Sequence, residues 1–161
     1  MPRLILLRHA KSAWDTDAPS DHERPLNKRG RRDAPVMGAR LKALGWVPDV
    51  VLCSTAIRTR QTWAGAAEHL APAAPVTFLP KLYLAGRRAV LPLLAQQTAE
   101  TVMLIGHNPG WEDLASILSG QSLTMTTCNA ALLTSDAAGW TAAASAPWEL
   151  VDLLRPREPR Q

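Results

Sequence analysis

Only two cysteines occur in the chain, Cys53 and Cys128, and they do not form a CxxC pair. That rules out a disulfide-stapled scaffold and leaves two free thiols in a reducing compartment. Long apolar runs are also missing. The longest near the start is Leu4 to Leu7, far too short for a signal-peptide core or a membrane span. The cytoplasm is therefore the expected location, with no membrane partner. No internal repeat and no low-complexity linker divides the sequence, so residues 1–161 read as one domain. His9, His22, His69 and His107 show no zinc-like ligand spacing, and no metal is expected. No aromatic platform flanks the basic clusters, so stacking on single-stranded nucleic acid lacks support and no nucleic-acid partner is expected.

What is present is an ordinary globular composition, 47% hydrophobic and 20% charged over 161 residues, enough to bury a sizeable core. The formal net charge is +4, and the positive residues are grouped. Arg24, Lys28, Arg29, Arg31 and Arg32 form one group, Arg58 and Arg60 a second, and Arg155, Arg157 and Arg160 a third. A basic surface of this kind suits a small anionic substrate.

Along the chain, short β-like runs alternate with longer helical ones. Leu4-Ile5-Leu6-Leu7 and Val50-Val51-Leu52-Cys53 are continuous apolar runs ending at polar residues, as strands buried on both faces do. Val76 to Leu79 and Thr101 to Ile105 are two more. Asn27 is placed to cap a helix over about Lys28 to Leu44, with Gly45 as its terminator and Pro35 an awkward interruption. Ser54 or Thr55 is placed to cap a second helix running to about Leu70. Arg87 to Gln97 and Trp111 to Leu118 read as two further helices. Ala130 to Thr134, Trp140 to Ala144 and Trp148 to Leu153 read as a β-rich tail with a turn near Ala138-Gly139. The alternation predicts a three-layer α/β/α sandwich with a mostly parallel central sheet and an antiparallel edge.

In such sheets ligands bind beyond the carboxyl ends of the strands. Those ends carry Arg8-His9, then Ser54 to Arg58, then Gly106-His107. If the strands are neighbours, two arginines and two imidazoles converge. Arginines recognise phosphate oxygens bidentately, and a helix N-terminus near Thr55 adds backbone donors. One imidazole can attack phosphorus and become phosphohistidine, while the cations stabilise charge on the equatorial oxygens. Nearby positive charge lowers a histidine's pKa and keeps the nucleophile neutral.

These residues also carry a resemblance. Leu6-Leu7-Arg8-His9-Ala10-Lys11-Ser12 resembles the RHG/RHA signature of the histidine phosphatase (phosphoglycerate-mutase-like) superfamily. Arg24-Pro25-Leu26-Asn27 with Gly30 resembles its RPL element, and Ser54 to Thr62 its S-x-x-x-R-x-x-Q-T element. Gly106-His107-Asn108-Pro109 resembles its second-histidine motif. The motifs occur in family order, and the short chain with its HNPG form is most similar to the SixA-type phosphohistidine phosphatases. The resemblance implies that His9 is the phosphorylated nucleophile and that Arg8, Arg58 and His107 bind the phosphoryl group. It brings Arg24 to the same pocket. Lys11, Ser12 and Asn108 are further candidates for substrate contact. No cofactor is implied, and the partner is a phosphorylated protein or a small phosphorylated molecule, bound by what reads as a monomer.

The match has one gap. Larger relatives carry a glutamate acid just after the third strand, where this chain reads Leu79-Pro80-Lys81-Leu82-Tyr83-Leu84; Glu68 and Glu100 do not fit the pattern. A phosphoramidate, whose P–N bond breaks readily once nitrogen is protonated, accounts for the gap, with His107 or Asp21 as candidate proton donors. The rival substrates are small phosphomonoesters such as sugar or nucleotide phosphates, and a non-catalytic phosphate-binding module is the alternative of another class. Asp15, Asp17, Asp21 and Glu23 read as a solvated acidic loop, and Trp14 and Trp111 as core residues rather than walls of the pocket.

Overall fold

The computed structural model describes residues 1–157; Arg160, counted above in the third basic group, lies outside the described residues. Its strands are β1 (Arg3–Arg8), β2 (Val50–Ser54), β3 (Val76–Leu79), β4 (Thr101–Gly106), β5 (Ala130–Thr134) and β6 (Glu149–Leu154). The helices are α1 (Lys28–Ala43), α2 (Ile57–Ala67), α3 (Arg87–Ala95), α4 (Gly110–Ser119) and the single turn α5 (Trp140–Ala143). Among the described residues the strands make one sheet, in the order β3-β2-β4-β1-β5-β6. The pairings β3–β2, β2–β4 and β4–β1 are parallel, and β1–β5 and β5–β6 are antiparallel.

The apolar runs are continuous because both faces of the sheet are covered. Alternate residues point to opposite faces. Leu4, Leu6, Leu52, Val102 and Leu104 pack with Val90 and Leu94 of α3, Trp111 and Leu114 of α4, and Trp140 of α5. Ile5, Leu7, Val51, Cys53, Met103 and Ile105 pack with Ala34, Met37 and Leu41 of α1 and Trp63 of α2. Helices thus lie on each side of the sheet, as the alternation of β and α signals requires.

Asn27 caps α1 as read from sequence, accepting a hydrogen bond from the Gly30 N–H at 2.9 Å. Gly45 follows its C-terminus with φ of 75°, the left-handed geometry that a glycine adopts without strain. Pro35 and Pro92 lie within α1 and α3 rather than ending them. Gly38 is where α1 crosses α2, and a Cβ there would stand 2.1 Å from the Ala66 carbonyl oxygen.

Two local expectations are corrected. Neither Ser54 nor Thr55 caps α2: its N-cap is Ala56, with no side-chain cap bond. β2 runs through Ser54, and the Ser54 hydroxyl is engaged with His107. The segment from Trp140 is helical, not β. Its two alanines favour helix, Gly139 enters it with extended backbone, and the Trp140 indole is anchored by donating to the Ala99 carbonyl.

Candidate active site

β4 lies between β2 and β1, so the carboxyl ends of the three central strands sit side by side. Arg8 is in register with Gly106, and Cys53 with Ile105. The next residues, His9, His107 and Ser54, therefore emerge together above the sheet. The His9 N–H donates to the Gly106 carbonyl at 3.0 Å, and the two imidazole centroids are 5.4 Å apart. They line a cavity of about 190 Å³. All eight site residues expected from sequence line it: Arg8, His9, Lys11, Ser12, Arg24, Arg58, His107 and Asn108. Trp14, Leu84 and Thr127 complete the lining.

The His9 ring is buried, and its Nδ1 lies 2.7 Å from the Ala10 carbonyl oxygen. A carbonyl only accepts, so Nδ1 carries the proton and the neutral ring keeps a lone pair on Nε2. Burial first, then the charges of Arg58, Arg8 and Arg24, lower the His9 pKa to about 4, against the opposing Ala10 bond. Downstream, the Ala10 N–H donates to the Thr62 hydroxyl at 2.9 Å, which itself donates to the Arg58 carbonyl. One threonine of α2 thereby pins the loop after β1.

His107 Nε2 is 2.8 Å from Ser54 Oγ. Burial, with His9 and Arg58 adding to it and Asp21 opposing, lowers its pKa to about 3. Its Nδ1 is buried without a hydrogen-bond partner among the described residues, as are Nε of Arg8 and Nε of Arg58. Buried nitrogens of this kind ordinarily find a partner.

The arginines are held by backbone and carboxylate. Arg8 donates to the Met125 carbonyl at 2.9 Å, and so does the Asn108 amide at 2.8 Å. Asn108 Oδ1 accepts from the Glu112 N–H, so this amide fixes the wall of the cavity. Arg24 donates to Ser12 Oγ, the Ala13 carbonyl and Asp21. Arg58, 3% exposed, donates to the Asp21 carbonyl and to Asp21 Oδ2, at 2.7 and 3.0 Å.

Asp21 is thus bound to two arginines, and the Tyr83 hydroxyl also donates to it. The Tyr83 bond foremost, then those from Arg58 and Arg24, hold its carboxyl well below the usual carboxylate range, over the opposing effect of burial. A carboxylate so held is ionised and is a poor proton donor. Tyr83 also stands edge-on to His107, with ring centroids 5.3 Å apart.

Sequence reasoning missed Tyr83, although it lies in the stretch searched for a glutamate. It placed Ser54 at a strand end and in the S-x-x-x-R-x-x-Q-T element, but gave its side chain only the role of a candidate helix cap. Trp14 reverses the expectation of a core residue: it is 73% exposed, and Arg24 stacks on its indole at 3.5 Å. Trp111 is fully buried as expected. Asp15, Asp17 and Glu23 are exposed, and neither they nor Glu68 and Glu100 line the cavity.

Comparison with known proteins adds three findings. The family model described as the histidine phosphatase superfamily (branch 1) matches residues 4–83. A chloroplastic protein of Arabidopsis thaliana is 40% identical over 169 residues, covering 96% of this chain and 78% of that one. Two solved structures provisionally assigned as phosphohistidine phosphatase SixA share 31% identity. That from Nakamurella multipartitia has a TM-score of 0.85 and covers 96% of each chain. That from Agrobacterium tumefaciens has 0.83 and covers 97% of this chain and 99% of its own.

Proposed function

Because this chain belongs to branch 1 of the histidine phosphatase superfamily, we propose that it hydrolyses phosphohistidine on proteins through a covalent intermediate on His9. In the first step Nε2 of His9 bonds to phosphorus as the P–N bond of the substrate breaks, and the departing imidazole takes a proton from solvent. In the second, water attacks phospho-His9. The P–N bond to His9 breaks, the oxygen and its protons leave with inorganic phosphate, and the imidazole is restored. Arg8, Arg24 and Arg58 neutralise the equatorial oxygens, and the neutral His107 ring binds them by a hydrogen bond. Lys11 and Ser12 contact the substrate at the mouth, and Asn108 acts through the wall it holds. The reaction is metal-independent in this reading, because three guanidinium groups supply the positive charge.

The observation that carries the proposal is the His9 Nδ1–Ala10 bond. It leaves the lone pair of Nε2 in a cavity that Arg8, Arg58 and His107 also line. Two further observations support phosphohistidine over a small ester. Asp21 is an ionised carboxylate and His107 is neutral above about pH 3, so neither stands ready to protonate an ester oxygen. The cavity, about 190 Å³, is smaller than the roughly 300 Å³ at which ordinary ligand pockets begin. It suits a phosphoryl group whose carrier stays outside, against the exposed side chains of Trp14 and Leu84. Two buried, unpaired cysteines fit the cytoplasm.

The test is a side-by-side assay on a phosphohistidine-bearing protein and a panel of small phosphate esters. Lacking acid catalysis, the esters are expected to turn over slower by about 10²–10⁴-fold. His9→Ala should abolish all turnover with the near-UV circular dichroism unchanged. Comparable ester turnover would make the substrate a phosphomonoester, and substantial activity in His9→Ala would remove His9 as nucleophile. Phosphate binding with no turnover of either class would leave a binding module.

A further inference from the structure

A second hollow of about 70 Å³ adjoins the active-site cavity. Thr127 lines both, so the two share a wall. Around the smaller one stand Arg29, from the first turn of α1, and Arg155 and Arg157, which follow β6. Thr126 and Asn129, from the segment before β5, close it. Three arginines from basic groups far apart in sequence, none with a part in the proposed chemistry, therefore meet beside the site.

Among the described residues the hollow carries excess positive charge: its three arginines meet one carboxylate, Asp33, which is 2% exposed and pairs with Arg157 at 3.2 Å and Arg29 at 3.6 Å. Arg155 makes no ion pair among the described residues. Asn129 is fully buried. Its Oδ1 accepts from the Thr126 hydroxyl at 2.9 Å, while its Nδ2 has no partner among the described residues. Surplus guanidinium charge and an unsatisfied buried N–H group share one complement, an oxyanion. The volume is far below the roughly 300 Å³ of an ordinary ligand pocket, which fits one carboxylate or phosphate and excludes a ring system.

We propose that this hollow is a second oxyanion subsite, which takes a carboxylate or phosphate that the substrate carries beside the phosphoryl group under attack. The assignment rests on the active-site reading above. The shared wall also ties the subsite to the nucleophile. The Arg8 N–H donates to the Asn129 carbonyl, and the Cys128 N–H donates to the His9 carbonyl, each at 3.0 Å. An anion in the subsite orients the substrate against a wall that is bonded to the backbone of Arg8 and His9. On a protein substrate the anion is an acidic side chain near the phosphohistidine; on a small substrate it is a second phosphate.

Two arms of one experiment separate these sources. The first compares phosphohistidine peptides flanked by Glu with the same peptides flanked by Gln. The second compares alkanediol bisphosphates with the matching monophosphates. In the wild type, the second anion is expected to lower KM by about 10-fold in one arm, the worth of a charge-assisted hydrogen bond. Arg155→Gln should remove most of that advantage, and Arg29→Gln with Arg155→Gln should remove all of it. KM for the singly charged member should change by no more than about twofold, as for a surface charge. Arg157 is left in place so that Asp33 keeps a partner. The proposal is overturned by an advantage that survives in the double variant, or by no advantage in either arm. Calorimetric titration of alkanediol bisphosphates and monophosphates into His9→Ala decides the subsite without turnover. If the wild type turned over nothing, the phosphatase reading would fail while this binding comparison still judged the subsite.

Discussion

Asp21 uses both of its carboxylate oxygens within the site, Oδ1 on Arg24 and Oδ2 on Arg58 and Tyr83. A negative charge beside a phosphoryl pocket weakens anion binding, so the residue has to act through position: it fixes two guanidinium groups at their working angles. Asp21→Asn keeps the shape and removes the charge. Its kcat should fall by up to about 10²-fold, the scale of a misplaced catalytic group, while inhibition by inorganic phosphate stays the same or tightens. A parallel loss of phosphate affinity would show that Asp21 supports binding rather than alignment. His9, Arg8, Arg58 and His107 were legible in sequence because each is a side chain of distinctive chemistry at or near a strand end, and Arg24 through the resemblance of its Arg-Pro-Leu element. Tyr83 was not, since its bond to Asp21 spans 62 positions and nothing local marks it. Nor was the Met125 carbonyl, which receives Arg8 and Asn108, because a backbone acceptor has no side-chain signature.

The elements divide the work. Parallel strands bring His9, Ser54 and His107 to one end of the sheet, and α2 carries both Arg58 and Thr62. The seat of α2 therefore matters to the chemistry, and it depends on the contact between Gly38 and Ala66. Gly38→Ala places a methyl group against a backbone carbonyl that cannot yield unless the helix moves. Overpacking of this kind costs about 1–3 kcal/mol. The expected result is a lower urea midpoint together with reduced activity per folded molecule; an unchanged midpoint would mean that α1 shifts freely over α2. The strands and longer helices were readable because their apolar patterns meet buried surfaces on both sides of the sheet. The tail was harder. Trp140 to Ala144 shows no helical stripe over so few residues, and its conformation is set by tertiary contacts of Trp140 with Ala99 and Trp148.

On the scale of the whole molecule, the cavity makes stability depend on pH. His9 and His107 have ordinary values near 6.5, lowered in the fold to about 4 and about 3. Between those limits the unfolded chain binds protons that the folded chain refuses, so stability rises with pH there and falls on acidification below about 6.5. Asp21 acts in the same direction at still lower pH, because its carboxyl is held down in the fold. The urea midpoint should accordingly be lower at pH 5 than at pH 7, and the drop should be smaller in His9→Ala. A midpoint that holds or rises at pH 5 would mean that these imidazoles are not kept neutral by the fold. Another property of the whole molecule follows from Trp14. Its five fellow tryptophans are at most 6% exposed, whereas Trp14 stands 73% exposed beneath the Arg24 guanidinium. The protein's intrinsic fluorescence is thereby split into a dry, blue-shifted majority and one wet, red-shifted emitter, and that single emitter stands at the mouth of the cavity.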